Sequence, residues 1–213
     1  SIPSVVHEVK RLSSEGVREF NLIAQDSSFY GRDLNDGTTL ARLLKELVKI
    51  DNVKWIRLFY LYPTYFDDEL LEIITKEEKI CKYVDIPLQH ISDSVLRRMH
   101  RRDSSQSIKK LLKKLRNTTP YITIRTTLMV GFPGETEADF KELLTFIKAV
   151  KFDNMGAFTY SAQDGTPAAR MVDQVTEEIK ENRYHELMAA QAEISEENNR
   201  NLIGVDTEVL VEE

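Results

Sequence analysis

The sequence predicts an α/β protein in which parallel strands alternate with helices. Five short apolar segments rich in β-branched and aromatic residues recur along the chain, as is typical of buried strands. The segments between them carry apolar residues at helical spacing, as in residues 38–50. Alternation of this kind implies parallel strands joined by right-handed crossovers. Two architectures fit this pattern: a barrel, whole or partial, and an open doubly wound sheet.

The individual elements follow from the same periodicity and from turn residues. Gly16 ends the first helix as a C-cap does, and Thr136 with Asp139 three residues later has the pattern of a helix N-terminus. Strands are predicted at residues 19–24, 54–63, 82–90, 123–134 and from residue 154 onward. Helices are predicted at residues 4–16, 38–50, 67–77, 92–99, 104–116, 136–150 and 177–204.

The composition is that of a globular protein with a sizeable core. The 213 residues suffice for one large domain, or one domain with a small appendage, and they are 41% hydrophobic and 30% charged. The net charge of −6 argues against a general nucleic-acid coat protein, and the basic run at residues 100–116 has its simplest interpretation in a solvated helix face. With Cys81 as the single cysteine, no disulfide forms within the chain, which predicts a cytoplasmic location. No apolar run reaches the ~20 residues of a membrane span.

Polar residues collect where the predicted strands end. Because the carboxyl ends of parallel strands meet at one edge, we expect a ligand site there. The candidate residues are Gln25 and Asp26 after the first strand, Tyr62 after the second, Gln89 and His90 after the third, Arg125 in the fourth with Gly131, Phe132, Pro133, Gly134 and Glu135 at its end, and Tyr160 and Ser161 after the fifth.

Each of these residues also has a purely structural interpretation. Asp26 has the character of a turn or cap residue, and a lone histidine such as His90 is more often structural than functional. Arg125 inside a strand needs an anionic partner, either Asp85 or a ligand carboxylate. Gly131 and Gly134 fit a plain strand-to-helix turn, although glycine also permits close approach of a ligand to the backbone.

Several common site motifs are absent from the sequence. It has no GxGxxG after the first strand, no phosphate-binding lysine loop and no serine nucleophile elbow. One cysteine holds neither zinc nor an iron–sulfur cluster, and core packing is the expected role of Cys81. A metal-independent barrel lyase would need a lysine or paired carboxylates at the strand ends, and neither is found there.

Read together, five motifs resemble the methylthiotransferases of the radical S-adenosylmethionine (SAM) superfamily. These motifs, which span nearly the whole chain, are AQDSSFYG, WIRLFYLYP, DIPLQH, GFPGET and FTYSAQDGTPAA. LFYLYP, YSAQDGT and DIPLQH are most similar to the branch that adds a methylthio group to the β-carbon of an aspartate in small-subunit ribosomal protein S-twelve. The tRNA-adenosine branch of the same superfamily stays open as an alternative, and so does a non-catalytic docking fragment.

The resemblance implies a partial (β/α) TIM-like barrel of the radical SAM type, truncated at its amino-terminal strand. Residues 1–204 would form the radical SAM core, and residues 205–213 the first strand of a truncated TRAM domain. The cofactors implied are SAM and, in the full-length enzyme, 4Fe–4S clusters. The family's Cys-x3-Cys-x2-Cys loop is absent from these residues, so the chain is expected to hold no cluster and to be inactive alone.

The resemblance also assigns roles to the strand-end residues, and all of these roles are in binding rather than in acid–base or nucleophilic catalysis. Gln25 and Asp26 would meet the SAM amino group, Gln89 and His90 the ribose, and Arg125 the methionine carboxylate. Residues 131–135 would place adenine against the backbone, with Phe132 as an apolar wall. The remaining rim would be lined by Tyr62, Tyr160 and Ser161. The implied partner is a ribosomal protein substrate, with no membrane partner.

Overall fold

The computed structural model describes residues 1–211, which contain five parallel strands. In chain order they are β1 (Glu19–Leu22), β2 (Trp55–Leu58), β3 (Tyr83–Asp85), β4 (Thr123–Val130) and β5 (Asn154–Thr159). β1 pairs with β2, and β3, β4 and β5 pair in that order. Backbone bonds join the two sheets at their shared edge: Ile56 N donates to Lys79 O at 2.7 Å and Leu61 N to Asp85 O at 2.8 Å.

Seven helices connect and flank the strands of residues 1–211. They are α1 (Ile2–Ser14), α2 (Leu40–Leu47), α3 (Asp68–Lys76), α4 (Asp93–Arg98), α5 (Ser105–Thr118), α6 (Glu137–Val150) and α7 (Glu177–Arg200). Side-chain caps begin most of these helices, and Thr136 with Asp139 forms a full capping box at α6, which confirms the sequence prediction. Gly16, with φ of +105°, follows the first helix as expected.

Burial along the strands decides between the two architectures. In β4, Ile124, Thr126, Leu128 and Val130 are buried, and the residues between them are only half-buried. A doubly wound sheet has helices on both faces and buries both, whereas in a partial barrel helices cover the outer face and the inner face packs only as far as the strands present enclose it. The described chain is therefore a partial, open (β/α) barrel with its core between the sheet and the surrounding helices.

Several predicted bounds were too wide. β1 ends at Leu22 rather than at residue 24, and β3 has three residues, after which the chain regains one parallel bridge, between Gln89 and Leu128. α7 ends at Arg200, and turns replace the predicted last helical residues.

The proposed domain boundary near residue 205 stays a prediction. Residues 205–211 form no regular element, and residues 212 and 213 of the predicted TRAM strand lie outside the described residues. Glu208 of this segment pairs with Lys54 at 2.7 Å. No helix within residues 1–211 combines the length and the apolarity needed to cross a bilayer.

Candidate functional site

The carboxyl ends of all five strands are joined into one rim by backbone hydrogen bonds. The loop after β1 meets the loop after β2 where Ser27 N donates to Tyr60 O at 3.0 Å. The third loop meets β4 where Met129 N donates to Gln89 O at 2.7 Å, and Tyr160 N after β5 donates to Val130 O at 2.8 Å. With the Leu61 bond to β3, this chain of contacts brings the predicted strand-end segments to one side of the barrel.

A cavity of about 410 Å³ opens at this rim. Its lining residues are Tyr62, Gln89, Arg98, Met99, His100, Arg101, Met129, Phe132, Thr166, Pro167, Ala168 and Met171. Three thioethers and a phenyl ring make the walls largely apolar, and thioether sulfur packs well against aromatic rings. The polar lining side chains include those of Gln89, Arg98 and Thr166, as in small-molecule sites where a few polar groups fix the orientation of the ligand.

Backbone strain also concentrates at the rim. Within residues 1–211, five non-glycine residues have φ in the left-handed region, and three of them are Tyr60 at +54°, Gln89 at +67° and His100 at +55°. Gln89 and His100 line the cavity. A conformation of this kind costs of order 1 kcal/mol and persists where the surrounding structure imposes it, most often at ligand sites.

The GFPGE loop, residues 131–135, turns from β4 into α6 beside the cavity. Gly131 and Gly134 have φ of +75° and +81°, as a strand-to-helix turn of this tightness requires. At each glycine, the space that a Cβ would need is filled by protein atoms and is not open to a ligand. A Cβ on Gly131 would lie 2.2 Å from Lys180 Cγ, and one on Gly134 would lie 2.4 Å from Arg98 Cζ. Of this loop, Phe132 alone lines the cavity.

Glu135 is enclosed beneath this loop. Its carboxylate accepts the Gly131 N–H at 2.6 Å and an Arg183 Nη1–H at 2.9 Å, and its side chain is fully buried. Burial raises the pKa of Glu135, opposed by the charge of Arg183 and by hydrogen bonds from the backbone. The side chain therefore fastens the loop internally and makes no contact with the cavity.

His90 lies beside Glu135 and is also fully buried. Its Nδ1 accepts the Ser92 N–H at 3.0 Å, so its proton is on Nε2, which lies 3.9 Å from Glu135 Oε2. Burial lowers the pKa of His90 to about 4, with the charge of Arg183 acting in the same direction and Asp139 opposing. The imidazole is thus a neutral packing group behind the rim.

Two residues at the first strand end sit on the rim without lining the cavity. Asp26 caps a 3-10 helix (Ser27–Phe29), accepting the Phe29 N–H at 3.2 Å and the Ser28 hydroxyl. This is the structural role considered for it from the sequence. Ser28 in turn holds Tyr62, whose N–H it accepts at 3.0 Å. Gln25 is exposed.

At the fifth strand end, Tyr160 packs edge-on against Phe132 with ring centroids 5.2 Å apart. Its buried hydroxyl has no hydrogen-bond partner among residues 1–211. Ser161 is exposed and accepts a bond from Gln163 Nε2 at 3.4 Å. Tyr160 therefore supports the cavity wall from behind, and Ser161 lies further out.

Arg125 faces the barrel interior and has the partner that the sequence suggested. Its Nη1 lies 3.2 Å from Oδ2 of Asp85, a fully buried carboxylate that also accepts the Tyr60 N–H at 3.4 Å. Burial raises the pKa of Asp85, with Arg125 opposing. The Arg125 side chain remains 40% exposed, and Asp85 occupies only part of its donor fork.

Much of the cavity wall is formed by residues that the sequence does not predict to be there. Met99, His100 and Arg101 lie between α4 and α5 and line the cavity. The sequence predicts a helix that ends at Met99 and a solvated helix face for the basic run that begins at His100, whose left-handed φ of +55° instead marks a turn. Met171 and Met129 were not considered either. Methionine spacing carries no recognisable signal, so these contacts depend on the fold.

A partial parallel β/α barrel with its cavity at the carboxyl ends of the strands defines a class of cofactor-binding enzyme domains. The sequence profile of the Radical SAM superfamily matches residues 1–147, more than half of the chain. The chain belongs to the Radical SAM superfamily.

Curated relatives are about 50% identical to this chain over the residues that align with it. A protein of Pelobacter propionicus named "Ribosomal protein uS12 methylthiotransferase RimO" is 51% identical over 211 residues, which are 99% of this chain and 47% of that protein. Proteins of the same name from Geobacter sulfurreducens and Clostridium tetani are 50% and 47% identical over 99% of this chain, and 47% and 48% of the relatives are covered. The chain spans about half the length of the curated relatives it matches.

Solved structures confirm the fold class at low sequence identity. Coproporphyrinogen III oxidase (HemN) from Escherichia coli, described as a radical SAM enzyme, matches 91% of this chain and 46% of its own with a TM-score of 0.67 at 15% identity. The radical SAM methyltransferase TsrM from Kitasatospora setae, solved with cobalamin and a [4Fe-4S] cluster, matches 79% of this chain and 33% of its own with a TM-score of 0.62 at 17% identity.

The two cofactors that the superfamily implies fit this chain differently. The rim cavity, with its thioether and phenyl walls, has the volume and the chemistry to hold the adenosyl part of SAM. An iron–sulfur cluster needs several thiolates, and Cys81 lies at the opposite end of the barrel in a groove with Glu19 and Arg57. Within residues 1–211 no group of three metal-ligating side chains occurs. These residues do not fit the cluster.

Proposed function

We propose that the chain is the SAM-binding core of a radical SAM methylthiotransferase that modifies the β-carbon of an aspartate in a small-subunit ribosomal protein. The observation that carries the proposal is the 51% identity over 211 residues to a protein named as a uS12 methylthiotransferase. Because this chain covers about half of such relatives, the activity is proposed for the whole protein.

When bound, SAM supplies the adenosyl group for radical chemistry and a methyl group for transfer. The cavity would hold the adenosyl group between Phe132 and Met129, with Gln89 and Tyr62 at its polar edge. Arg125 would receive the methionine carboxylate through the donors that Asp85 leaves free. Gln25 and Asp26 complete the proposed site on the rim after β1, toward the amino group.

The other proposed cofactor-site residues act mainly through position. Glu135, with His90 beside it, fastens the loop that contains the two glycines, and Tyr160 packs behind Phe132. Pro133 and Ser161 lie nearby without lining the cavity. None of the candidate residues is assigned as a nucleophile or a general base. The chain's own contribution is to orient the ligand and to keep water away from it.

Mass spectrometry of the ribosomal protein after incubation with the whole protein, SAM, a reductant and sulfide as the sulfur source tests the proposal. We expect one aspartate to gain the mass of a methylthio group that replaces hydrogen. Mock-reconstituted protein without the cluster is the control. A methylthio group on a tRNA adenosine, with the ribosomal protein unchanged, would establish the tRNA branch instead.

A cytoplasmic location remains a prediction that rests on the single cysteine and on the proposed ribosomal substrate.

Filter binding of tRNA at two salt concentrations distinguishes the ribosomal-protein substrate from the tRNA substrate independently of turnover. Steep, salt-sensitive tRNA binding favours the tRNA branch, because phosphate contacts weaken as salt rises.

A further inference from the structure

Two buried cations of α7 lie against the GFPGE loop. Lys180 and Arg183 are 4% and 7% exposed, although most of the surrounding helix surface is exposed. Long cationic side chains are almost never buried unless they are paired, so this burial has a cost that specific contacts must offset. α7 begins at Glu177, well beyond residue 147, where the match to the superfamily profile ends.

Arg183 fastens the carboxyl end of the loop. Its Nη1 donates to Glu135 Oε1 at 2.9 Å and to the Glu135 carbonyl at 3.1 Å, and its guanidinium lies 5.5 Å from the ring centroid of Phe140 in α6. Glu135 in turn accepts the N–H of Gly131 at 2.6 Å. One side chain of α7 thus reaches both ends of the five-residue loop through a single carboxylate.

Lys180 fills the space beneath the amino end of the loop. Its Cγ occupies the volume that a Cβ on Gly131 would need, at 2.2 Å. Its Nζ pairs with Glu177 at 2.6 Å and lies 5.4 Å from the ring centroid of Tyr160. Because Tyr160 packs on Phe132 at 5.2 Å, the lysine supports the aromatic wall of the cavity from behind.

We propose that Lys180 and Arg183 are positioning residues, through which α7 sets the conformation of the GFPGE loop and the placement of Phe132 for the adenosyl ligand. The proposal rests on the proposed function, since it takes the rim cavity as the SAM site. Neither residue lines the cavity. The two side chains act through Glu135 and through the packing of Gly131 and Tyr160.

The test compares Arg183→Met with Arg116→Met in the full-length protein carrying its reconstituted cluster. Arg116 is the matched control because it also joins a helix to a loop through a carboxylate, Asp153 at 2.7 Å, and a backbone carbonyl, that of Ile122. Asp153 immediately precedes β5, so this pair lies at the amino ends of the strands, away from the cavity. Both changes remove one arginine–carboxylate pair.

Two measurements separate positioning from simple stabilisation. Hydrogen exchange of the loop amides should accelerate at least about tenfold in Arg183→Met and stay at the wild-type rate in Arg116→Met. The dissociation constant for SAM should rise about tenfold in Arg183→Met alone, and Arg183→Lys should restore part of the loss. Lys180→Met, which keeps the packing volume but not the charge, should weaken SAM binding less than Arg183→Met.

Different outcomes would overturn the positioning role and the proposed function. If wild-type protein fails to bind SAM, the proposed function is lost, and loop exchange still reports whether α7 orders the loop. If wild-type protein binds SAM and Arg183→Met matches Arg116→Met in both exchange and affinity, the positioning role is overturned. Should Arg183→Met fail to fold, Arg183→Lys and Lys180→Met carry the same comparison.

Discussion

The two ends of this barrel differ in how their polar groups are satisfied. At the amino ends of the strands, a groove of about 630 Å³ contains Arg57, which pairs with Glu19 at 2.8 Å and lies 5.0 Å from the ring centroid of Tyr83. At the carboxyl ends, the smaller cavity of about 410 Å³ has apolar walls and left-handed residues among its lining. Beside it lies the Tyr160 hydroxyl, which has no partner within residues 1–211. The groove is the larger opening, but its arginine is already paired with a carboxylate of the same chain. Volume alone therefore does not indicate the site.

The largest expected effect concerns two glycines with left-handed φ, Gly131 in the closely packed GFPGE loop and Gly165 in an open loop after β5. Gly131→Ala should lower the free energy of unfolding by ~2–5 kcal/mol, because a left-handed alanine costs ~1–2 and the clash with Lys180 a further ~1–3. Gly165→Ala, with φ of +84° and nothing within 4 Å, should cost only the first term. Urea denaturation measures both. Equal losses would contradict the close packing, and Lys180→Ala should partly rescue Gly131→Ala.

The next effect is the acid sensitivity of the rim. His90 is held neutral, with its pKa lowered from 6.5 to about 4, so the unfolded chain binds more protons between these values. Stability should therefore fall as the pH drops from 6.5 to about 4, by up to ~3 kcal/mol. The raised pKa of Glu135 acts in the opposite sense, since its contribution is lost as the pH rises.

Denaturant titrations at several pH values check this expectation, with His90→Gln as the control. The variant should lose the destabilisation below pH 6.5 and keep the opposing slope from Glu135. An unchanged pH profile in the variant would mean that His90 is not the titrating group.

A smaller effect, on the affinity for SAM, is expected to differ between two interior arginines at opposite ends of the strands. Arg125→Met should raise the dissociation constant of the cluster-reconstituted, full-length protein for SAM about tenfold, because it removes a proposed partner of the ligand carboxylate. Arg57→Met, at the other end of the same interior, should leave affinity unchanged. Isothermal titration measures both. Equal affinities would remove Arg125 from the proposed site.

The smallest effect is expected at the exposed pair between Lys54 and Glu208, with side chains 50% and 67% exposed. Lys54→Ala should change the free energy of unfolding by less than ~0.5 kcal/mol, because water and salt screen such pairs. Thermal unfolding of the variant at two salt concentrations checks this. A loss above ~1 kcal/mol would show that residues 205–211 stabilise the amino end of the barrel far more than this pair suggests.

Much of the fold and part of the site could be predicted from local signals. Helical periodicity located all seven helices, and the capping pattern at Thr136 and Asp139 set the start of α6. The strand-end rule placed Tyr62, Gln89 and Phe132 at one rim, where they do line a cavity. These features depend on residues close together in the sequence, for which spacing is sufficient evidence.

Whether the remaining candidate residues are buried or face the cavity depends on long-range packing. Glu135 has a polar side chain at a strand end, yet it is fully buried because Arg183, 48 residues later, pairs with its carboxylate. His90 is buried as a neutral imidazole that accepts the Ser92 N–H. The same glycines that permit close approach of a ligand are approached by Lys180 and Arg98. No local pattern reveals the burial of Glu135 or the filling of the space at these glycines, since each of their partners comes from a distant element.

The sequence by itself determined the order of strands and helices, the edge at which polar residues collect and the resemblance to the radical SAM methylthiotransferases. The tertiary structure alone decided which of those residues face the cavity, which are sealed behind it, and that α7 reaches the GFPGE loop. The physical reason is that periodicity and capping are local properties of the backbone. Burial and charge pairing, in contrast, exist only after distant segments have packed together.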